Sequence, residues 1–370
     1  MRAERDHCLR RSIAAGTTAG FAALLSLLFS WQVFEFDAAL FVYAQTLVIS
    51  VAVTVYRLTV WLHRPPTAQM FRTAVRVLKN SFHSNGRMRL LKVVGRRAAG
   101  YFLANRFVLR RGVRRWSVHW PIMVGCISSV AIVVPLIAGW VWFETVPGDL
   151  QTYRLMNFGV PVLDFAVNGP IAFVLFHGLV WAAFPVVIGC GIALRRRSHD
   201  RGDQAVQSFE NDLLPLLLLL AVSLTGLWLT VSYSFFDGAS HQAAAAIHLV
   251  TVCGTLLWLP YSKLFHIPQR SLKLAQMVCD VAWQDDDRVA CVGCGEEFAS
   301  RGQVNDLIEV QHRLGYSYSD PASDDHFQLV CPRCRRRNYV VAQSTRCRAA
   351  VEELPAVAFP VAEPLAASAP

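Results

Sequence analysis

Ile247-His248-Leu249-Val250-Thr251-Val252-Cys253-Gly254-Thr255-Leu256-Leu257-Trp258-Leu259-Pro260-Tyr261-Ser262-Lys263-Leu264-Phe265-His266 is an apolar run with an imidazole near each end. The two histidines stand 18 positions apart. At about 3.6 residues per turn this is about five whole turns, so one helix would present both rings on the same side. At about 1.5 Å rise per residue the rings would lie roughly 27 Å apart, most of a hydrocarbon layer roughly 30 Å thick. Ionisable side chains inside membrane spans are costly and mark functional positions. Imidazole is also a haem axial ligand. The segment predicts a single membrane helix offering a haem ligand near each face.

The surrounding chain suits that environment. Of its 370 residues 54% are hydrophobic and 17% charged, which is too apolar for an ordinary soluble domain. Six runs are long enough to cross, near 13–33, 38–62, 119–142, 168–194, 211–234 and 243–265. The first has no small-residue cleavage site and a second run follows at once, so it is read as a span and not as a signal peptide. The predicted fold class is an all-α membrane protein of six transmembrane helices forming a haem-binding bundle, with a small C-terminal metal ribbon. The expected divisions are two N-terminal spans (1–62), a basic loop (63–117), a four-helix bundle (118–268), a ribbon domain (269–347) and a disordered tail (348–370).

The net charge of +10 is unevenly placed. Between His63 and Ser117 every charged side chain is basic, and Arg195, Arg196, Arg197 and Arg201 follow the fourth span. The opposite loops, 143–167 and 235–242, hold Glu144, Asp149, Asp164 and Asp237 against Arg154. The positive-inside rule then puts both termini in the cytoplasm of a prokaryotic membrane protein. Segments 68–82 and 99–110 alternate apolar and basic residues at helical spacing, as helices lying on the inner membrane surface do. Topology control and anionic lipid account for the basic loop, so no nucleic-acid partner is expected.

Four histidines have matching depths. His119 begins the third span and His266 ends the sixth, on the same side, so the two can grip one iron from opposite faces. His177 in the fourth span lies at about the depth of His248, and Gly178 beside it leaves room for a flat macrocycle. These pairs, His119 with His266 and His177 with His248, predict one or two b haems. By charge, Arg114, Arg115 and Lys263 are placed to meet haem propionates.

The stretch His248 to His266, ending Leu-Pro-Tyr-Ser-Lys-Leu-Phe-His, resembles the last span of the respiratory nitrate reductase gamma subunit family of cytochromes b. That family includes the membrane cytochromes of heterodisulfide reductase-type complexes. Arg110 to Gly125, with Trp116 and His119, is similar to an earlier span, and Ala221-Val222-Ser223-Leu224-Thr225-Gly226-Leu227 to the fifth. In nitrate reductase gamma subunits the earlier span carries two ligands. His119 matches the first and Ser129 stands at the second, so either His177 takes over or only the inner haem remains. The resemblance implies an electron-transfer subunit of a quinone-linked oxidoreductase. It would exchange electrons between menaquinone or ubiquinone and a cytoplasmic Fe–S subunit.

Two Cys-x-x-Cys pairs, Cys291/Cys294 and Cys331/Cys334, lie beyond the last span. Four thiolates can close a tetrahedron around a metal. Phe298, Leu307, Ile308, Val310, Leu314 and Tyr316 between the pairs are expected to form a miniature core. Zinc is the expected ion and iron the alternative, because Arg335 stands where a rubredoxin-like second knuckle carries glycine. Two competing functions remain: a transporter or proton channel using the histidines, for which the span interiors lack acidic residues, and a membrane-anchored docking protein working through the ribbon.

Overall fold

The computed structural model describes residues 2–28, 38–82, 87–319 and 325–353. It forms two compact units, Met1–Val278 and Cys279–Pro370. Among the described residues five helices are long and apolar enough to cross a bilayer: Phe41–Leu62, Val113–Ile137, Gly178–His199, Phe209–Phe235 and His241–Tyr261. The chain is a multi-pass membrane protein. The run expected as a first span is α1 (Arg2–Leu28) as far as the described residues extend, and the remainder of 13–33 lies outside them.

In the first unit α1 packs lengthwise on α2 (Ala38–Leu62). Two glycines four residues apart make the close approach possible: a Cβ at Gly16 would meet the Ala52 carbonyl oxygen at 2.8 Å, and one at Gly20 would meet the Ala52 Cβ at 3.0 Å. The basic segment folds as α3 (Pro65–Phe82), α4 (Arg87–Phe102) and a single turn, α5 (Arg106–Leu109). The helix expected over 99–110 is thus split. Asn105 takes φ +51° and starts the chain in a new direction.

The spanning helix α6 (Val113–Ile137) leads into an antiparallel meander, β1 (Val141–Val146), β2 (Asp149–Asn157) and β3 (Val160–Ala166). The expectation of an all-α fold is corrected here. Gly148 at φ +85° and the pair Phe158 and Gly159, at +48° and +82°, turn the chain back on itself. Phe143, Tyr153 and Phe165 gather on one face against Phe176, with ring centroids 5.0–6.2 Å apart. Arg154 grips Asp164 across the strands through two 2.8 Å hydrogen bonds.

The fourth apolar run is two helices, α7 (Pro170–Phe176) and α8 (Gly178–His199), meeting at His177. A short helix, α9 (Arg201–Val206), and a π turn (Phe209–Leu213) lead to α10 (Leu214–Phe235), then α11 (His241–Trp258). Helix α6 packs on α8, α8 on α10, α10 on α11 and α11 on α2. The α6–α8 contact is backbone against backbone: a Cβ on Gly125 would sit 2.5 Å from the Ala182 carbonyl oxygen, and one on Gly189 3.0 Å from that of Val118.

The chain then passes through α12 (His266–Ser271) into α13 (Lys273–Gln284). The second unit pairs β4 (Arg288–Ala290) with β5 (Glu297–Ser300), followed by α14 (Arg301–Arg313) and α15 (Pro332–Glu353). Helix α15 runs through the first residues of the expected disordered tail. The rest of 348–370 lies outside the described residues.

Substituting Gly125 by Val should lower the thermal stability of detergent-solubilised protein by an amount typical of overpacking, about 1–3 kcal/mol. Gly191→Ala, where a Cβ meets nothing within 4 Å, should leave it unchanged. Equal unfolding curves for Gly125→Val and the parent protein would contradict the close crossing.

Candidate functional site

The five-turn argument fails at Pro260. Helix α11 ends at Trp258, a 3-10 turn covers Leu259–Tyr261, Ser262 is extended at φ −93°, ψ 179°, and a second 3-10 turn covers Lys263–Phe265 before α12 begins at His266. His248 and His266 are therefore not on one helix. Proline has no N–H to continue the ladder and its ring crowds the preceding turn. The break leaves carbonyls that need donors. Ser262 N–H returns to the Trp258 oxygen at 3.1 Å, and Ser262 Oγ accepts from Leu264 N–H at 3.1 Å. The Pro260 oxygen accepts from Arg57 of α2, whose guanidinium lies 5.5 Å from the Tyr261 ring centroid and 4.9 Å from that of Phe265. A second tie runs from Ser50 Oγ to the Leu256 oxygen at 2.8 Å.

The turn leaves His266 within electrostatic range of His119 on α6. His119 has His266 and Arg270 as electrostatic neighbours. His119 Nδ1 lies 3.2 Å from the side-chain amide of Asn105, a residue 1% exposed, and that amide also lies 2.9 Å from Met123 Sδ. His266 Nδ1 is engaged by the Lys263 carbonyl. His266 Nδ1 donates to the Lys263 carbonyl, which leaves its Nε2 lone pair free for a ligand. The Asn105 NH2 donates to His119 Nδ1 and so puts the proton of the neutral His119 ring on Nε2; turning that amide to present Oδ1 makes Nδ1 the donor and frees Nε2. This arrangement alone does not single out a site, since His63 and His199 also bond backbone oxygens four residues earlier, at 2.7 and 2.8 Å. What distinguishes His119 and His266 is their convergence from different elements.

An ion-pair cluster braces the same end of the bundle. Asp212 in the π turn meets Lys263 at 2.6 Å and Arg197 of α8 at 3.5 Å. Lys263, expected from charge to meet a propionate, is engaged by this carboxylate. Arg114 and Arg115 are exposed on the first turn of α6.

His248 and His177 are held by separate partners. Thr225 Oγ1 donates to the Ala221 oxygen at 2.7 Å and so accepts from His248 Nδ1 at 2.9 Å. Gly226 keeps α10 close to that ring: a Cβ there would lie 3.2 Å from His248 Cε1. His177 Nδ1 bonds the Phe173 oxygen at 2.8 Å and its ring packs 4.5 Å from that of Phe173. The same oxygen still accepts the His177 backbone N–H at 3.2 Å, and the less helix-prone Gly178 follows where α7 gives way to α8. Ser129 turns its hydroxyl back to the Gly125 oxygen at 2.9 Å.

The second unit brings Cys291, Cys294, Cys331 and Cys334 together, with all four sulfurs within 4.8 Å of one another. Cys294 and Cys331 Sγ are 3.8 Å apart. A tetrahedron with bonds of about 2.3 Å has edges of about 3.8 Å, so the spacing suits zinc. The two knuckles differ. The first turns through Gly295 at φ +75°, with its N–H on the Cys291 oxygen at 2.8 Å. The second opens α15, where Pro332 occupies the first turn and helical φ is needed, so glycine is not required at Arg335. Arg335 instead reaches back to the Val330 and Gln328 oxygens at 2.6 and 3.1 Å.

Backbone donors charge the cluster. Cys331 N–H donates to Cys291 Sγ at 3.2 Å and Cys334 N–H to Cys331 Sγ at 3.4 Å. The Cys331 donor is the main reason that the Cys291 thiol falls to about 6. Cys334 is pushed up to about 12, chiefly by Cys294 and then by Cys331. Around the sulfurs lie Phe298 and Val330, both part-buried. Leu307, Leu314 and Tyr316, expected as core, are 43–53% exposed, while Val304 and Val289 are buried.

Comparisons with protein-family models, curated proteins and solved structures found no match to this chain. The sequence did not point to Asn105, Arg57, Asp212 or Arg270. Arg57, a lone arginine late in an apolar run, is the one of these that the sequence could have flagged, whereas Asn105 is one of three asparagines in the basic loop.

Purified chain should carry one zinc per molecule by elemental analysis, and Cys291→Ser with Cys294→Ser should reduce this at least tenfold. Chelation of the parent protein should melt the second unit, because the sulfurs are its core. Full metal content in the double variant would rule out the tetrathiolate site.

Proposed function

We propose that the chain is a haem b-containing membrane subunit that passes electrons between a quinone pool and a partner on its basic, cytoplasmic side. The observation that carries this reading is that His119 and His266, on separate elements, lie within electrostatic range of each other, with the Pro260 break separating His266 from α11. The residues suit a haem: two imidazoles with Nδ1 engaged, apolar helices around them, and a half-buried arginine beside both.

A bound haem supplies one-electron transfer by cycling its iron. The chain's own residues do the rest. Asn105 and the Lys263 carbonyl fix the two imidazole rings, and Asp212 holds the Lys263 segment through its ammonium group. The apolar helices exclude water and lower the local dielectric, which tunes potential. His248, bonded to Thr225, and His177, bonded to the Phe173 oxygen, are the residues that would hold an outer haem. The resemblance to nitrate reductase gamma-type cytochromes supplies the quinone and the Fe–S partner. The four-cysteine unit, with Arg336 and Arg337 exposed on α15, is suited to docking an acidic partner surface rather than to carrying charge if zinc fills it.

Protein made in haem-replete cells should give dithionite-reduced b-type bands with one or two haems per chain. His119→Ala and His266→Ala should each remove the same haem, while His63→Ala should leave the spectrum intact. A colourless parent protein, or loss of different haems in the two variants, would overturn the proposal.

A further inference from the structure

We propose that Arg270 is the seat of a carboxylate on the group held by His119 and His266. The inference rests on the haem reading, under which that carboxylate is a haem propionate.

Arg270 stands four residues after His266 on α12, so both side chains leave the same helical face. Its guanidinium lies 4.2 Å from the centroid of the Phe107 ring. Phe107 in turn packs edge-on against His119, with centroids 6.3 Å apart. Arg270 is thereby placed beside both imidazoles, and each has it as a charged neighbour.

The surroundings lack a counter-anion. Among the described residues no carboxylate pairs with Arg270. Burial weakens its hold on its proton, Tyr101 opposes this, and the nearby Arg111 weakens it again. A half-buried cation facing a second cation is costly unless something negative joins it. Lys263 and Arg197, at the same end of the bundle, already share Asp212. Arg270 is the cation that acts electrostatically on both rings, and among the described residues no ion pair holds it. Its planar fork matches a carboxylate bidentately, and the Phe107 face holds that fork in place.

A phospholipid headgroup is another oxyanion that could reach this position, and the test separates the two. Apoprotein produced without haem is loaded in nanodiscs with protohaem or with its dimethyl ester, which lacks both carboxylates, and affinity is read from the visible spectrum. The parent protein should bind protohaem at least about tenfold more tightly than the ester, the worth of a charge-assisted hydrogen bond. Arg270→Gln should lose that preference while still binding the ester as the parent does, and Arg270→Lys should keep part of it. Arg110→Gln, an exposed neighbouring arginine, should behave as the parent. An unchanged preference in Arg270→Gln would overturn the proposal and leave the haem reading standing. So would an effect seen with phosphatidylglycerol nanodiscs and lost with phosphatidylcholine, which would assign the arginine to lipid. Failure of the parent to bind either porphyrin would remove both readings together.

Discussion

Within a bilayer every backbone donor and acceptor must find a partner inside the protein, and the break at Pro260 is where this constraint shapes the chain. A proline in a helix interior costs about 3 kcal/mol in lost bonding and steric conflict. Here the freed groups are met by Ser262 and by Arg57, a cation reaching over from α2 with two aromatic rings beside it. The interruption therefore ties the last span to the second. It also redirects the chain, so that His266 begins a new short helix rather than extending the old one. Were α11 continuous, His266 would sit on the α11 axis below His248.

Everything proposed for the site depends on that change of direction. Once His266 leaves the α11 axis, the Lys263 carbonyl can hold its Nδ1, the Lys263 ammonium can reach Asp212, and Arg270 can lie on Phe107. One segment of a few residues reaches the π turn before α10 through Lys263 and α5 through Arg270. On the other side, α6 and α8 approach closely enough at Gly125 and Gly189 for backbone contact, which fixes the position of the helix carrying His119. The small unit beyond uses a different principle. Its buried residues include Cys291, Cys331 and Cys334 together with Val289 and Val304, and the four-cysteine cluster could hold a metal.

Five of the six expected spans, the helix α3 and the two cysteine knuckles were legible because each is a local pattern. Hydropathy over about 20 residues, a 3.6-residue alternation or a two-residue spacing does not depend on tertiary context. The five-turn spacing of His248 and His266 was misleading for the same reason: counting residues assumes an unbroken helix, and Pro260 within Leu-Pro-Tyr-Ser is the signal against it. The meander between α6 and α7 was hidden by length, since strands of 6, 9 and 7 residues give no strong period beside membrane helices. Its turn residues, Pro147-Gly148 and Phe158-Gly159, were the available clue. Asn105 and Arg270 were illegible in a stricter sense. They matter because of residues 14 positions away in one case and on another element in the other, and no window along the chain contains that information.

The claim that most needs testing is that His119 and His266 share one iron. Near-infrared magnetic circular dichroism of the oxidised, purified protein reads axial ligands directly. The account predicts the charge-transfer band of a low-spin ferric haem with two imidazole ligands, replaced by a high-spin or mixed-ligand signal in His266→Met. A parent spectrum without a bis-imidazole haem, or one that His266→Met leaves untouched, would contradict it.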